Sequence, residues 1–413
     1  MRRLALLALL LANSSVPATP VGESLYPGLV EFDEAFEFYA AGDFERARTG
    51  FRHLAELGDP EAQLNLGVML AKGEGGPVDR IEGAAWVRRA EAAGSDQAGS
   101  IREVVEHGLD QAQIDAASAR LQVAEREDEA ADYTPGAAEN CPIVITHREE
   151  PSYPQGAIWR GEMGLVILLF WVDPDGVTGA SHALYRPSSD EFSLAAKRAI
   201  NRFRAAACPA SEHRLAEQTI QFELSLRNSE SPWYSKGNRE FASELLVAAR
   251  KGDAAAAFGV ALLAPNFEGL FDVGAQEIQD LTLRAALSGV PEARYLISGH
   301  DDRWMILAAR QGYAPAMERI ARWRQLPVRE RKDSLIAAAK AGYDPAAFNA
   351  VRWLAAHPDA AERDGQLALH LTEGLWRGQL QNDLLIAQAR AMALAEAGRL
   401  RRSEEHTSEL QSL

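Results

Sequence analysis

The chain has 413 residues, 47% hydrophobic and 25% charged, which is ordinary globular composition and enough length for two or three domains. Its 43 basic and 59 acidic residues give a formal charge of −16. That balance repels phosphate backbones and anionic lipid surfaces, so nucleic acid and bare membrane are excluded as expected partners.

The first residues run Met1-Arg2-Arg3, then the apolar stretch Leu4 to Ala12, then Val16-Pro17-Ala18. Charged, apolar and small residues in that order mark a secretory signal over residues 1–18, with cleavage expected after Ala18. The apolar stretch is shorter than the roughly 20 residues of a membrane span, so no stable membrane insertion is expected after cleavage. A periplasmic location follows as the expectation. At the other end, residues 402–413 read RSEEHTSELQSL, which resembles a translated sequencing adapter, and they are set aside from fold reasoning.

Residues 30–124 carry a repeat. Phe32 to Ala41 and Asp43 to Leu57 read as two amphipathic helices broken at Gly42. Gly58 and Ala62 are echoed 36 residues later by Gly94 and Ala98, and between them lie Gly73 and Gly75 and then Trp86 and Ala90. Glycine suits the left-handed residue that ends a helix, Asp59 can cap the next one, and Pro60 fits its first turn. These marks resemble the Sel-like branch of the tetratricopeptide repeats, which implies stacked helical hairpins.

A degenerate form returns over residues 238–401. Ala248-Ala249 with Gly252 and Ala256 recurs as Ala285-Ala286 with Gly289 and Ala293, as Ala308-Ala309 with Gly312 and Ala316, and as Ala338-Ala339 with Gly342 and Ala346. The glycines are spaced 37, 23 and 30 residues apart, so loops vary or a helix is shortened. Leu394 to Gly398 repeats Leu54 to Gly58 with one change.

Between the arrays, residues 125–139 are acidic and then Pro/Gly-containing, and read as a solvated linker. In residues 140–228 the periodicity changes. Leu165 to Val172 is an apolar strand entering Asp173-Pro174-Asp175-Gly176, a hairpin turn, with Val177 to Tyr185 returning. Ser188 and Glu191 form a capping box for a helix carrying Phe192, Ala195, Ala196, Ala199 and Phe203. Ile220, Phe222, Leu224 and Leu226 then alternate with polar residues as a half-buried strand.

The order strand, strand, helix, strand, with Pro151, Tyr153, Pro154, Ala157, Gly164, Val166, Phe170, Val172, Asp175, Gly176, Ala195 and Ala196, resembles the TonB C-terminal domain. The resemblance implies a small α+β module that binds partners by pairing an extended peptide with a sheet edge. The whole is expected to be multidomain, with α-helical repeat solenoids flanking that module. True energy transducers of the family carry an uncleaved membrane helix and a proline-rich spacer, and neither is found in this sequence.

No nucleophile elbow, zinc-binding helix, phosphate loop or Cys-x-x-Cys occurs. Asp173 and Asp175 lack the further ligands of a calcium loop, and no cofactor or metal is expected. Trp86, Trp304, Trp323, Trp353 and Trp376 are read as helix-packing residues, with a concave binding face as the alternative. Cys141 and Cys208 flank the module and are expected to be joined.

In the first strand, Val166, Leu168, Phe170 and Val172 fit the helix-facing side. Leu165, Ile167, Leu169 and Trp171 are left on the other, and a face this apolar calls for a cover, either a flanking array or a second copy of the chain. The function expected is protein or peptide binding in the cell envelope, as a non-catalytic scaffold. An accessory role in outer-membrane transport and an enzyme without a recognisable motif stay open as alternatives.

Overall fold

The computed structural model describes residues 21–130, 142–160, 164–185, 190–208, 213–222, 236–267, 269–299, 301–377 and 383–398. The signal segment 1–18, Cys141, Ser188 and the tail 402–413 lie outside the described residues.

The first array is α1 (Phe32–Ala40), α2 (Phe44–Glu56), α3 (Pro60–Lys72), α4 (Arg80–Ala92), α5 (Ala98–Glu106) and α6 (Gln111–Ala130). Asp59 accepts the amide of Ala62 at 2.9 Å and Asp79 that of Glu82 at 2.8 Å, two side-chain caps that fix where α3 and α4 begin. The Gly-x-Gly loop has a packing reason. A Cβ on Gly75 would run into the backbone carbonyl of Phe44, so the α3–α4 loop lies directly on the start of α2.

Helix α6 runs to Ala130, into the acidic stretch that begins at residue 125. The stretch Glu125 to Ala130 holds Glu, Arg, Asp and Ala and no Gly or Pro. Nothing in it stops a helix already under way.

The second array is α9 (Lys236–Arg250), α10 (Ala254–Leu263), α11 (Ala275–Leu287), α12 (Pro291–Ile297), α13 (Asp302–Arg310), α14 (Ala314–Ala321), α15 (Val328–Lys340), α16 (Asp344–Ala356), α17 (Gly365–Arg377) and α18 (Leu384–Glu396). Its Ala-Ala-x-x-Gly signature is a helix terminator. Gly252 N–H donates to Ala249 O and Asp253 N–H to Ala248 O, both at 3.1 Å, and Gly342 and Tyr343 donate in the same way to Ala339 and Ala338 at 3.0 and 3.2 Å. Both glycines have positive φ, 96° and 83°, so the last carbonyls of each helix are satisfied by a left-handed cap. The uneven spacing is explained by an extra loop between α10 and α11 and by short helices at α12 and α13, of 7 and 9 residues.

The two arrays also touch. Leu29 and Leu57 are buried with Leu281, Ala285 and Trp304 of the second array. Arg294, 3% exposed, makes a two-pronged ion pair with Glu31 at 2.6 and 2.7 Å, and Arg303 reaches Glu56 at 2.6 Å.

The module between them contains β1 (Ile145–His147), α7 (Gln155–Arg160), β2 (Gly164–Val172), β3 (Thr178–Tyr185), α8 (Asp190–Ile200), β4 (Arg204–Ala205) and β5 (Arg214–Phe222). An antiparallel sheet has the order β3-β2-β5, and β1 pairs with β4 in a short ribbon beside it. Val166, Leu168, Phe170 and Val172 pack against Phe192, Ala195, Ala196 and Ala199 of α8. Tyr153 seals one end of this core, edge-on to Phe192 and Phe222 at 5.7 and 5.8 Å. The sequence predicted strand, strand, helix, strand, and β1, β4 and α7 are additions to it.

Candidate functional site at the junction of module and second array

The other side of β2 is buried along its whole length: Leu165, Ile167, Leu169 and Trp171 are each at most 5% exposed. Leu169 and Trp171 share a cluster with Leu335 of α15, Tyr343 just before α16, Ala347, Phe348 and Val351 of α16, and Leu385 and Ile386 of α18. The indole N–H of Trp171 donates to Pro345 O at 2.9 Å. An all-apolar strand is what a sheet covered on both faces requires.

A second clamp joins β3 to α18. Ala180 has φ 47°, and the β2–β3 register slips between Leu169 and Trp171. A bulged residue leaves its ladder partner, and the freed Ala180 N–H donates to Asp383 Oδ2 at 2.6 Å. The same carboxylate accepts the amides of Leu385 and Ile386 at 3.0 and 3.1 Å, capping α18. Burial pushes the Asp383 carboxyl up to about 6 against the opposing pull of those amides.

Nearby, His182 stands edge-on to Tyr343 at 4.8 Å, and Lys197 pairs with Asp344 at 2.9 Å. Helices α16 and α18 therefore lie along β3. On the outer side of β5 no strand is paired among the described residues.

Where the end of the sheet meets the array, a cavity of about 610 Å³ opens. Its cationic lining is Arg322, Arg324, Arg331 and Arg352, from the end of α14, the turn after it, α15 and α16. Trp171, Trp353, Leu335 and Met392 supply apolar surface, and His213, Asn349 and His357 add hydrogen-bonding groups. No carboxylate lines it among the described residues.

The aromatic and cationic groups are layered. Arg331 lies over Trp353 at 5.2 Å and Arg322 over Trp171 at 5.5 Å, while Trp353 stacks on His357 at 4.9 Å. Arg322 also pairs with the fully buried Glu318 at 3.3 Å. Burial, reinforced by the Arg352 charge, brings His213 down to about 4, so its imidazole is neutral near pH 7. The indole N–H of Trp353 is buried with no hydrogen-bond partner.

Of the residues singled out from sequence, Leu169 and Trp171 lie at this junction, and Trp353 lines the cavity. Trp304 sits in the core between the arrays, and Trp86 packs on the first array with its N–H on Glu82 at 3.3 Å. Cys208 is buried and is not a free cysteine. Asp173 closes the hairpin, accepting the Val177 amide at 2.7 Å. The arginine group and Asp383 had not been singled out. Gly179, a glycine inside a strand and thus a sign of a bulge or of close approach, is the one local signal pointing toward Asp383, since a Cβ there would run into its carboxylate.

In comparison with known proteins, residues 149–224 match the family described as Gram-negative bacterial TonB protein C-terminal. Among solved structures, the chain is similar to the Pseudomonas aeruginosa TonB C-terminal domain at 24% identity, over 22% of this chain and 94% of that one, with a TM-score of 0.20. It is also similar to a protective antigen present in uropathogenic Escherichia coli strains displaying an SLR fold, at 14% identity over 92% of this chain and 81% of that one, with a TM-score of 0.30. No curated protein matches it.

Proposed function

We propose that this chain is a periplasmic scaffold of the Gram-negative envelope that binds protein partners and catalyses no reaction. The observation that carries the reading is the TonB C-terminal match over residues 149–224, set between helical arrays and joined to one of them through β2 and β3. Repeat arrays offer extended surfaces to partners. In the module, α16 and α18 lie along β3, and among the described residues no strand pairs with the outer side of β5, the edge we assign to an added strand. Among the described residues no helix is long and apolar enough to cross a membrane.

The test is a photocrosslinking amino acid at Gln218 on β5, in the full chain expressed in Gram-negative cells and analysed by envelope fractionation and mass spectrometry. The expected result is a discrete adduct with an envelope protein, absent when the same group is placed at the exposed Arg329. An outer-membrane transporter in the adduct would specify an accessory role in transport. Retention of the chain in the cytoplasm, or equal labelling from both positions, contradicts the reading.

A further inference from the structure

We propose that Val21 to Leu29 is a detachable strap, a peptide ligand carried by the chain itself, and that the groove it fills on the second array also takes the same segment from a second copy. This goes beyond the strand-addition reading of β5 and does not depend on it. The strap folds through its own turns: the amides of Leu25 and Tyr26 donate to Gly22 O at 3.1 and 3.0 Å, and that of Gly28 donates to Glu23 Oε1 at 2.9 Å. Gly22 and Gly28 stand at φ 75° and 74°, where glycine alone is at ease. A loop closed by its own contacts moves as a unit.

On the second array, Arg310 of α13 brackets the strap, donating to Val21 O at 2.8 Å and to Leu29 O and pairing with Glu23 at 3.4 Å. The Gly22 N–H donates to Glu330 of α15 at 3.1 Å. Val21 and Leu25 pack on the cluster of Met305, Ala309 and Ile320, and a Cβ on Gly22 would run into Ile306. On the first array, Pro27 O lies 3.1 Å from His53 Nε2, and Tyr26 stands edge-on to the same ring. The strap is thus wedged between α2 and α13. Recognition through Val21 O, Gly22 N–H and Leu29 O uses main-chain atoms, as peptide sites do, while Glu23 and Leu25 add charge and shape. The Arg310 side chain is only 16% exposed, and a guanidinium so covered is costly to leave unpaired, so a vacated groove favours another segment of this chemistry. The strap itself is the segment seen to fit, which makes a second copy the source, by exchange of an identical element.

The experiment uses the full chain carrying Gly22→Val and Leu25→Asp, which loosen the strap and leave the groove unchanged. It is titrated with a fluorescein-labelled peptide of residues 21–30, VGESLYPGLV, and read by fluorescence anisotropy. Binding is expected, weaker by about two orders of magnitude in the wild type, whose tethered strap competes at high effective concentration. Adding Arg310→Gln or Glu330→Ala to the loosened chain should cost about tenfold. Circular dichroism establishes that the variants are folded, and Gly22→Val alone serves where the double change unfolds the chain. Mixing the loosened chain with full-length Arg310→Gln, which keeps a sound strap but has a damaged groove, should give a one-to-one complex by light scattering. Failure of the loosened chain to bind the peptide, equal binding by the wild type, or indifference to both groove changes would overturn the strap. Peptide binding without a complex in the mixture would overturn exchange between copies.

Discussion

The carboxylate of Asp383 accepts the backbone N–H of Ala180 at 2.6 Å, across 203 positions of sequence. One side chain thus both starts α18 and holds the bulge in β3. Its carboxyl is raised to about 6, chiefly by burial, above the value near 4 of an unfolded aspartate. The folded protein therefore holds a proton that the unfolded chain has released between about pH 4 and 6. The stability this contributes is present below about pH 4 and is lost as pH rises through about 6. The wild-type melting midpoint should accordingly fall relative to that of Asp383→Asn between pH 4 and pH 7. A constant difference across that range would contradict the burial argument.

Trp171→Phe keeps an aromatic ring against Phe348 but removes the donor to Pro345 O. Leaving that carbonyl unpaired in a buried junction should cost about 1–2 kcal/mol, read from the urea midpoint of the full chain. An unchanged midpoint would mean that the indole N–H adds nothing to the docking of module on array.

Gly342 sits at φ 83° with open space where a Cβ would be, so any cost of substitution is conformational and not steric. Gly342→Val should destabilise by about 1–2 kcal/mol and Gly342→Asn by clearly less, since Asn tolerates the left-handed region. Hydrogen exchange in the valine variant should rise at α15 and α16 and also in β3, because the adjoining Tyr343 meets His182. Equal melting temperatures for the two variants would rule out the cap.

Cys141 and Cys208 are proposed to be joined. Closing a loop of 67 residues would stabilise the fold by about 4 kcal/mol in the chain-entropy model. Thiol labelling of unreduced, denatured protein should find no reactive cysteine; two labelled sites would sink the bridge.

What could be read from sequence follows from how local the chemistry is. The Ala-Ala-x-x-Gly signature was visible because the helix cap is made by residues five positions apart, from Ala248 to Asp253, with no help from the rest of the chain. The apolar back of β2 was visible as an excess, since alternation alone would cover one face. The β1–β4 ribbon was not, because strands of 3 and 2 residues carry no periodicity and exist only through their pairing. The cavity was hidden for a related reason: Arg322, Arg324, Arg331 and Arg352 look like ordinary surface charges until the fold sets Trp171 and His213 opposite them. Asp383 reads as one helix cap among several, and only its burial distinguishes it.

The central claim is that the module and the second array form one unit through the back of β2. Hydrogen exchange with mass spectrometry on the full chain carrying Leu169→Thr and Trp171→Phe tests it most directly, since both changes lie in β2 and the response is sought elsewhere. Faster exchange in α15, α16 and α18 together with β3, while α2 to α4 keep their protection, is the predicted result. Faster exchange confined to β2 and its neighbours in the sheet would show the module to be an independent domain and would contradict the account.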